Sequence, residues 1–385
     1  MSERNRTVPR IGMVGGGQLS RMTHQAAIGL GVDFSVLATS PTDSAALVCG
    51  DVALGDDRGL DDVFAFAKDR DVLTFDHEHV PEPVLRELEE AGMLLRPGRA
   101  ALRFAQDKLR MRTRMAELEA PSPRWRAVTT LEHVVSFAER TGWPLVLKAA
   151  RGGYDGKGVW MVQATEEARE VVDRAAAEDV PLLVEEKVDF SRELAAQVAR
   201  SPHGQVAAYP VVETVQRGGV CHEVIAPAPQ LAEDKATHAQ QLAIEIAHAL
   251  EVTGMLTVEL FETTEGVVIN ELAMRPHNSG HWSIEGARTS QFEQHLRAVL
   301  DLPLGSPKAD APYTVMANVI GGDDPEVYRR YLHVMAEDPE LKVHFYGKSV
   351  RPGRKIGHVT VMGEDHQDLW ERARTAAAYL RGDRC

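Results

Sequence analysis

The sequence predicts an α/β and α+β fold divided into three domains, and three observations carry this prediction. Short apolar runs alternate with helical segments over the first 105 residues, as in a small doubly wound α/β domain. Prolines around positions 121 and 305 interrupt the apolar patterns and mark two linkers. The tail returns to alternating apolar and polar residues. The predicted domains are therefore 1–105, 106–304 and 305–385.

The N-terminal domain opens with a predicted β–α–β unit that has glycines at its first turn. The turn at 15–17 resembles a dinucleotide fingerprint, which also requires an acidic residue at the end of the second strand. Thr39 and Ser40 stand there instead, so this Rossmann-like domain is not expected to serve an NAD-dependent dehydrogenase. Its helix N-terminus could still hold another ligand's phosphate or ribose. Strands are predicted at 10–14, 34–38 and 72–75, and helices at 20–30 and 83–91.

The later elements follow from the same kinds of pattern. A helical period runs over 105–118 and ends at Pro121 and Pro123. The segment 302–307 marks the second boundary. In the tail, strands are predicted at 313–320 and 357–362 and a helix at 366–381.

A glycine-rich loop in the central domain indicates a phosphate-binding flap. A strand-like run at 144–147 precedes Lys148, four glycines fall within 152–158, and a second strand-like run follows at 159–162. Glycine lets the backbone turn tightly and present N–H groups to an anion, and Lys148 and Lys157 add positive charge. The loop is not a Walker loop, because no Gly-Lys-Ser/Thr opens a helix. A surface hairpin with a glycine-rich turn is the alternative.

Two glutamates are predicted to face each other across a hairpin. A three-residue loop ending at Gly266 pairs Thr263 with Val267, and counting outward places Glu259 opposite Glu271. Carboxylates about 4.5–5.5 Å apart at Cβ repel unless a cation lies between them. Mg²⁺ suits this place because it takes hard oxygen ligands and bridges carboxylates to phosphates. Two unrelated glutamates on a solvated face are the alternative. In this register Asn270 points to the other face.

Three further polar segments are candidate binding sites. The strand predicted at 182–188 ends in charged residues, so its edge could contact a purine ring. Glu193, a little further along the chain, could accept ribose hydroxyls. The loop 275–281 concentrates donors beside the predicted metal. The basic residues Lys348, Arg351, Arg354 and Lys355 suit a phosphate monoester. The alternatives are surface glutamates, a polar turn and a solvated basic loop.

The composition limits the classes of partner. The 57 acidic residues outnumber the 43 basic ones and give a formal net charge of −14, so nucleic acid is not expected as a partner. No apolar run reaches the length of a transmembrane helix, and the first six residues are polar, unlike a signal peptide. Cys49, Cys221 and Cys385 lack metal-ligand spacing. We expect a cytoplasmic protein without membrane partners.

The order of the motifs resembles the 5-(carboxyamino)imidazole ribonucleotide synthase family of ATP-grasp ligases, from about residue 10 to the C-terminal helix. This resemblance implies a pre-ATP-grasp N-terminal domain, an ATP-grasp domain with its flap at about 148–162, and a small, mostly β C-terminal domain. The loop 275–281 together with the Tyr-Asp-Gly flap makes the resemblance specific. The motifs are Gly-Gly-Gly-Gln-Leu at 15–19, Phe-Asp-His-Glu-His-Val at 75–80, Gln-Asp-Lys at 106–108, the flap at 152–158, Tyr-Pro-Val-Val-Glu at 209–213 and 270–281.

The resemblance also implies a reaction. ATP phosphorylates bicarbonate to carboxyphosphate, and the exocyclic amine of 5-aminoimidazole ribonucleotide captures the carboxyl group or the carbon dioxide released from it. ATP and Mg²⁺ are the implied cofactors, and a homodimer is the implied assembly. Another ATP-grasp carboxylate–amine ligase of purine metabolism is an alternative, which the loop 275–281 disfavours. A non-catalytic nucleotide-binding module is a second, which the retained glutamates disfavour.

The resemblance assigns roles by position. Glu259 and Glu271 are the metal ligands, and Lys157, Arg275, His277 and Asn278 are catalytic. The nucleotide-binding residues are Lys108, Lys148, Gly153, Tyr154, Asp155, Gly156, Lys157, Gly158, Glu185, Glu186, Lys187, Val188, Glu193, Gln216, Asn270 and Glu271. The substrate-binding residues are Gln18, Glu78, Tyr154, Arg275, His277, Asn278, Ser279, Lys348, Arg351 and Arg354. The chain departs from the family pattern at Ser20, Asp76, His77, Lys108, Gln216 and Met274.

Overall fold

The computed structural model describes residues 8–153 and 156–383. The predicted flap residues Tyr154 and Asp155 lie outside the described residues. None of the helices in the described ranges combines the length and apolarity needed to cross a bilayer.

The N-terminal domain is built on a parallel sheet in the order β3-β2-β1-β4, which contains the three strands predicted for this domain. The first turn bends at Gly15, whose φ of +110° favours glycine. Helix α1 begins at Gln18, two residues earlier than predicted, and ends at Gly31 in the left-handed region. The elements are β1 (Arg10–Val14), α1 (Gln18–Leu30), β2 (Asp33–Ala38), β3 (Val52–Leu54), α2 (Leu60–Ala67), β4 (Val72–Phe75) and α3 (Glu82–Glu90).

Two helices replace the single helical run predicted at 105–118. They are α4 (Arg99–Gln106) and α5 (Lys108–Glu117). Asp107 separates them because its backbone is extended and its Oδ1 accepts the N–H groups of Leu109 and Arg110, at 2.9 and 3.1 Å. Such an N-cap starts a new helix. Lys108 is therefore fixed at the first position of α5.

A small antiparallel sheet carries the glycine flap. Its elements are β5 (Trp125–Val128), α6 (Leu131–Thr141), β6 (Leu145–Ala149), β7 (Val159–Val162), α7 (Thr165–Ala177) and β8 (Leu182–Glu186). The order is β5-β8-β6-β7, and the flap joins β6 to β7. The prediction of an edge strand at 182–188 is wrong. Strand β8 pairs with β5 on one side and with β6 on the other, and it ends at Glu186.

Within residues 156–383, nine strands form one large sheet with the path β14-β13-β9-β11-β12-β15-β17-β16, and β10 pairs with β9. The pairing of β12 with β15 joins the central and C-terminal parts of the chain. The strands are β9 (Arg192–Arg200), β10 (Val206–Ala208), β11 (Val212–Arg217), β12 (Val220–Ala226), β13 (Gly254–Glu262), β14 (Val267–Ala273), β15 (Tyr313–Ile320), β16 (Lys342–Phe345) and β17 (Lys355–Gly363).

The helices of this region cover the large sheet. They are α8 (Glu233–Ala249), α9 (Ser283–Gly286), α10 (Gln291–Val299), α11 (Tyr331–Glu337) and α12 (His366–Arg381). Helix α12 begins and ends where predicted and packs on β15 and β17, where Leu369, Ala373 and Leu380 join the apolar core. The C-terminal domain, expected to be mostly β, thus combines β15, β16 and β17 with two helices.

The hairpin of β13 and β14 pairs Glu259 with Glu271 as predicted, but by a different path. The loop is one residue longer than predicted, because Glu262, and not Thr263, pairs with Val267. A β-bulge at Asn270 then shifts the register by one residue in the opposite direction. The two differences compensate. The predicted orientation of Asn270 is wrong, because its side-chain amide lies 3.4 Å from Oε2 of Glu259, on the carboxylate face.

Candidate active site

The two opposed glutamates each have a cationic or protonatable neighbour from another element. Nζ of Lys108, at the start of α5, lies 2.5 Å from Oε1 of Glu271. Nε2 of His277, in the loop after β14, lies 3.3 Å from Oε1 of Glu259. The ammonium of Lys108 offsets the repulsion between the carboxylates, and the imidazole of His277 contacts the other one. The structure therefore brings four of the predicted site residues to one end of the hairpin.

The glutamates lie beside a buried polar network. Nζ of Lys148 donates to Oδ1 of Asn270 at 3.0 Å and lies 2.7 Å from Oε2 of Glu185. The other carboxylate oxygen of Glu185 accepts Nε of Arg112 at 2.6 Å. Because Lys148 and Glu185 are almost fully buried, each needs the other's charge. The network fixes Lys148 at the end of β6, immediately before the flap.

The electrostatics differ between two neighbouring carboxylates of this face. Desolvation opposes ionisation of Glu259, but the hydrogen bond and charge of His277, with the charges of Lys108 and Arg275, hold its pKa below the ordinary value. Desolvation and the charge of Glu259 raise the pKa of Glu193 to about 7. Glu259 is thus kept in the ionised form, in which a carboxylate can bind a cation, whereas the pKa of Glu193 lies near neutrality.

The flap backbone is described on both sides of its tip. The N–H of Ala149 donates to the carbonyl of Gly158 at 2.7 Å, which closes the base of the loop. A Cβ on Gly153 would lie 2.7 Å from the carbonyl oxygen of Lys157, so glycine is required for this close approach. Lys157 is exposed in this loop. Gly156 and Gly158 have φ of +75°, a conformation that favours glycine.

The residues expected to contact a purine lie at the end of β8, which contains Glu185 and Glu186, and directly after it. The carboxylate of Glu186 is bound by Arg124, at 2.6 Å from Nη2, and Lys187 and Val188 follow outside the strand. An aromatic pair that the sequence reasoning missed lies close by. The rings of Phe190 and Phe261 stack with centroids 4.5 Å apart, and Phe261 pairs with Glu193 across β13 and β9.

Gln216, another predicted nucleotide-binding residue, lies on a different strand from the residues at the end of β8. It lies on β11, at an irregularity where it pairs with Cys221 of β12.

The loop 275–281 is held by residues far away in the chain. Nε of Arg275 donates to Oε2 of Glu78 at 2.9 Å, which joins the loop to the N-terminal domain. The side-chain amides of Asn278 and Asn318 bond each other in both directions, at 3.2 and 2.7 Å. Nδ1 of His277 lies 2.8 Å from Oγ of Ser279. The predicted substrate residues Glu78 and Arg275 are therefore in contact.

A second junction between domains joins Gln18 to Lys348, whose Nζ donates to Oε1 of Gln18. Arg354 donates to Oγ of Ser349 at 2.6 Å, and Arg351 is exposed in the same loop. The structure thus places Gln18 beside the predicted phosphate-binding loop.

Asp76 is a further buried group at this end of the N-terminal domain. Its Oδ2 accepts the N–H of Gly17 at 2.7 Å, and a Cβ on Gly15 would lie 1.9 Å from its Oδ1. The glycine turn is thus shaped by a carboxylate of this chain. Sequence reasoning noted Asp76 only as a departure from the family pattern.

The residues at the carboxylate pair fit Mg²⁺ bound together with a nucleotide. Within the described ranges, no group of three or more His, Cys, Asp or Glu side chains could hold a metal ion alone. Mg²⁺ commonly takes only one or two carboxylates and completes its shell with water and phosphate oxygens. Glu259, Glu271 and the amide oxygen of Asn270 supply hard oxygen atoms of that kind.

Three family models match successive parts of the chain. They are the ribonucleotide synthetase preATP-grasp domain at residues 8–106, the ATP-grasp domain at 113–292 and the phosphoribosylaminoimidazole carboxylase C-terminal domain at 314–372. The predicted fold class and the order of its domains are confirmed. The boundaries 1–105, 106–304 and 305–385 stay predictions.

Relatives match almost the whole chain. The N5-carboxyaminoimidazole ribonucleotide synthase of Mycobacterium bovis is 54% identical over 376 residues, which cover 97% of this chain and 88% of the relative. The solved N5-carboxyaminoimidazole ribonucleotide synthetase of Thermus thermophilus is 37% identical, with a TM-score of 0.87 and coverage of 97% and 99%. The Aspergillus clavatus enzyme, solved with ADP and 5-aminoimidazole ribonucleotide, is 30% identical, with a TM-score of 0.88 and coverage of 97% and 98%. This chain belongs to the N5-carboxyaminoimidazole ribonucleotide synthase family.

Proposed function

We propose that this protein catalyses the ATP-dependent carboxylation of the exocyclic amine of 5-aminoimidazole ribonucleotide with bicarbonate. The products are 5-(carboxyamino)imidazole ribonucleotide, ADP and phosphate. Family membership supports the reaction. The observation that carries it on this chain is the Glu259–Glu271 pair, in which Lys108 of α5 contacts Glu271 and His277 of the loop 275–281 contacts Glu259.

The reaction has two balanced steps. A bicarbonate oxygen bonds to the γ-phosphorus of ATP while the bond to the bridging oxygen breaks, so ADP leaves and carboxyphosphate forms. The amine nitrogen then bonds to the carboxyl carbon, directly or after release of carbon dioxide, and loses a proton while phosphate departs. These steps need charge compensation and exclusion of water more than a covalent nucleophile.

On the nucleotide side, Lys108 and Lys148 offset the negative charge of the phosphates, and the flap 152–158 excludes water from carboxyphosphate. Glu259 and Glu271 would hold magnesium, which would supply positive charge to offset the negative charge of the phosphates. The chain segment after β8 contacts the purine, and Glu193 accepts the ribose hydroxyls. The ring pair of Phe190 and Phe261 supports this placement.

On the substrate side, the loop 275–281 and the N-terminal domain hold bicarbonate and the ribonucleotide. Arg275, His277 and Asn278, with Lys157 from the flap, contact the reacting groups. Gln18, Glu78 and Ser279 orient the ribonucleotide, and Lys348, Arg351 and Arg354 bind its phosphate. The contacts of Arg275 with Glu78 and of Lys348 with Gln18 support a common site for these residues.

Phosphate release from ATP tests this function. We expect release to require both bicarbonate and 5-aminoimidazole ribonucleotide, with one carboxylated nucleotide formed per phosphate. Equal release with a different amine would favour another ATP-grasp ligase of purine metabolism. Nucleotide binding without turnover would favour a non-catalytic binding module.

We also propose a homodimer in the cytoplasm. Leu332 of α11 and Tyr328, in the turn before this helix, are each 82% exposed, and Met335 of α11 is a further exposed apolar residue. Exposed apolar residues of this kind support association with a second copy. The thiols of Cys49 and Cys221 are unpaired and buried, as suits a reducing compartment.

A further inference from the structure

Arg112 is a fully buried arginine of α5 whose guanidinium reaches two other elements. Its Nε donates to Oε1 of Glu185 at 2.6 Å. Its Nη1 donates to the carbonyl of Ile269 at 2.9 Å, and its Nη2 to the carbonyl of Asn270 at 2.8 Å. One side chain thus binds a carboxylate and two consecutive carbonyls.

The two carbonyls belong to the bulge in β14. Strand β14 is the outermost strand of the large sheet, so its outer edge has no strand partner among the described residues. Buried backbone carbonyls need hydrogen-bond donors, and a bulge leaves its extra residue outside the ladder. The guanidinium fills this need, and the N–H of Ile269 bonds the carbonyl of Pro121 at 2.8 Å on the same edge.

The bulge decides whether the two glutamates share a face. Near the turn, Leu260 pairs with Ile269. Without an extra residue, this register would continue and place Glu259 opposite Asn270. Glu271 would then pair with Val258 and point to the other face, because side chains alternate along a strand. The bulge instead pairs Glu271 with Glu259.

We propose that Arg112 is a positioning residue for the metal–nucleotide site, acting by holding the bulge that aligns Glu271 and Asn270 with Glu259. This inference rests on the proposed function of the glutamate pair. Through Glu185 the same side chain also fixes Lys148. Arg112 itself is too buried to contact the nucleotide. Its helix position, one turn after Lys108, sets both residues against β14.

Lysine cannot replace this arginine. A guanidinium has five donors in a planar fork, whereas an ammonium is a single compact charge on a flexible stem. Arg112→Lys keeps the charge beside Glu185 but cannot span two successive carbonyls as well. The substitution therefore separates the electrostatic contribution of Arg112 from its hold on the bulge.

Measurements of ligand affinity, made without following the reaction, test the proposal. The dissociation constant of Mn²⁺–ADP is measured by calorimetry, with bound Mn²⁺ followed by electron paramagnetic resonance, and that of 5-aminoimidazole ribonucleotide is measured alongside. Loss of a residue that orients metal ligands typically weakens metal affinity about 10–100-fold. We expect this loss for Arg112→Lys, with ribonucleotide affinity changed less than about threefold. Amide hydrogen exchange in 268–272 should become faster.

Arg330→Lys is the matched control. Arg330 also binds a carbonyl, that of Leu380 at 3.1 Å, and a carboxylate, that of Asp324, far from the site. We expect this variant to bind Mn²⁺–ADP as the wild type does. Equal affinity in folded Arg112→Lys, or equal weakening of both ligands, would overturn the proposal. A wild type that binds ADP independently of Mn²⁺ would instead overturn the proposed function.

A double variant covers the case in which Arg112→Lys does not fold. Arg112→Met with Glu185→Gln removes Arg112 and the carboxylate it pairs with, so no unpaired carboxylate remains. Lys148 then keeps only amide oxygens as acceptors, in this variant and in its reference alike. Glu185→Gln alone, which keeps Arg112 at the bulge, is its reference. Faster exchange in 268–272 only in the double variant supports the proposal. Equal exchange in both contradicts it.

Discussion

Replacing Glu271 by glutamine should abolish most of the activity while leaving the fold intact. The substitution keeps the shape of the side chain and removes its charge. In the structure Glu271 contacts Lys108 at 2.5 Å and lies opposite Glu259. Glutamine can still accept a hydrogen bond from Lys108, but it is a poor ligand for Mg²⁺. The effect should therefore fall on the nucleotide phosphates.

Glu271→Gln should change the activation free energy of the reaction more than it changes the free energy of unfolding. Removing one group that stabilises charge in a transition state lowers kcat about 10²–10³-fold, or about 2.7–4 kcal/mol. The side chain of Glu271 is 40% exposed, so its ion pair contributes only about 0–1 kcal/mol to folding. At roughly 2.1 cal/mol/K per residue, a loss of this size lowers the Tm of a chain of 385 residues by about 1 °C.

Glu262→Gln on the same hairpin is the matched control. Glu262 is more buried and lies 2.5 Å from Nε of Arg192 and 2.9 Å from Nζ of Lys235. Losing these charged hydrogen bonds costs about 1.5–3 kcal/mol, so this variant should be the less stable of the two. It should nevertheless keep near-normal activity. Both variants are assayed by phosphate release at saturating ATP and by thermal unfolding.

The reasoning is refuted if Glu271→Gln turns over within tenfold of wild type at ordinary magnesium. It also fails if Glu262→Gln loses as much activity as Glu271→Gln, because the loss would then reflect damage to the hairpin.

Three further predictions concern substrate binding, pH and assembly. Arg354→Ala should raise KM for the ribonucleotide about 10–100-fold, because it removes a charged hydrogen bond, and KM for ATP less than twofold. Arg329→Ala, at an exposed position, is the control. Equal rises in the two KM values of Arg354→Ala would contradict the assignment. The raised pKa of Glu193, about 7, means that the folded protein keeps a proton that the unfolded chain releases. Stability of the nucleotide-free protein should therefore fall as pH rises from the ordinary carboxyl range through 7, and urea unfolding should show a weaker fall in Glu193→Gln. Leu332→Glu should convert a dimer to monomers in analytical ultracentrifugation, and an unchanged sedimentation coefficient would place the interface elsewhere.

Elements with strong local signals could be predicted from the sequence. Strands 10–14, 72–75, 159–162 and 313–320 and helix 366–381 have the predicted bounds, because apolar period, glycine and charge are all local properties. The apolar period predicts one continuous helix over 105–118, because the N-cap at Asp107 interrupts the helix without interrupting that period.

Contacts between distant segments could not be predicted in the same way. Glu78 and Arg275 are 197 positions apart, and Gln18 and Lys348 are 330 apart. Turn chemistry and periodicity say nothing about which loops of different domains meet. The family resemblance named these four residues but not their pairing. Asn318, which holds Asn278, had no signal of its own in the sequence.

The hairpin shows how the correct pairing of two residues can be predicted from a register that is wrong in two places. The turn rule missed a one-residue extension of the loop, and the strand rule missed a one-residue bulge, yet Glu259 and Glu271 are paired. A longer loop alone would have separated the carboxylates onto opposite faces. The bulge restores the pairing, and Arg112 donates to the carbonyl of its extra residue, Asn270, and to that of the preceding residue, Ile269. The pairing of the two carboxylates therefore depends on the loop and the bulge together, and Lys108 and Arg112 of α5 contact β14 on either side of that bulge.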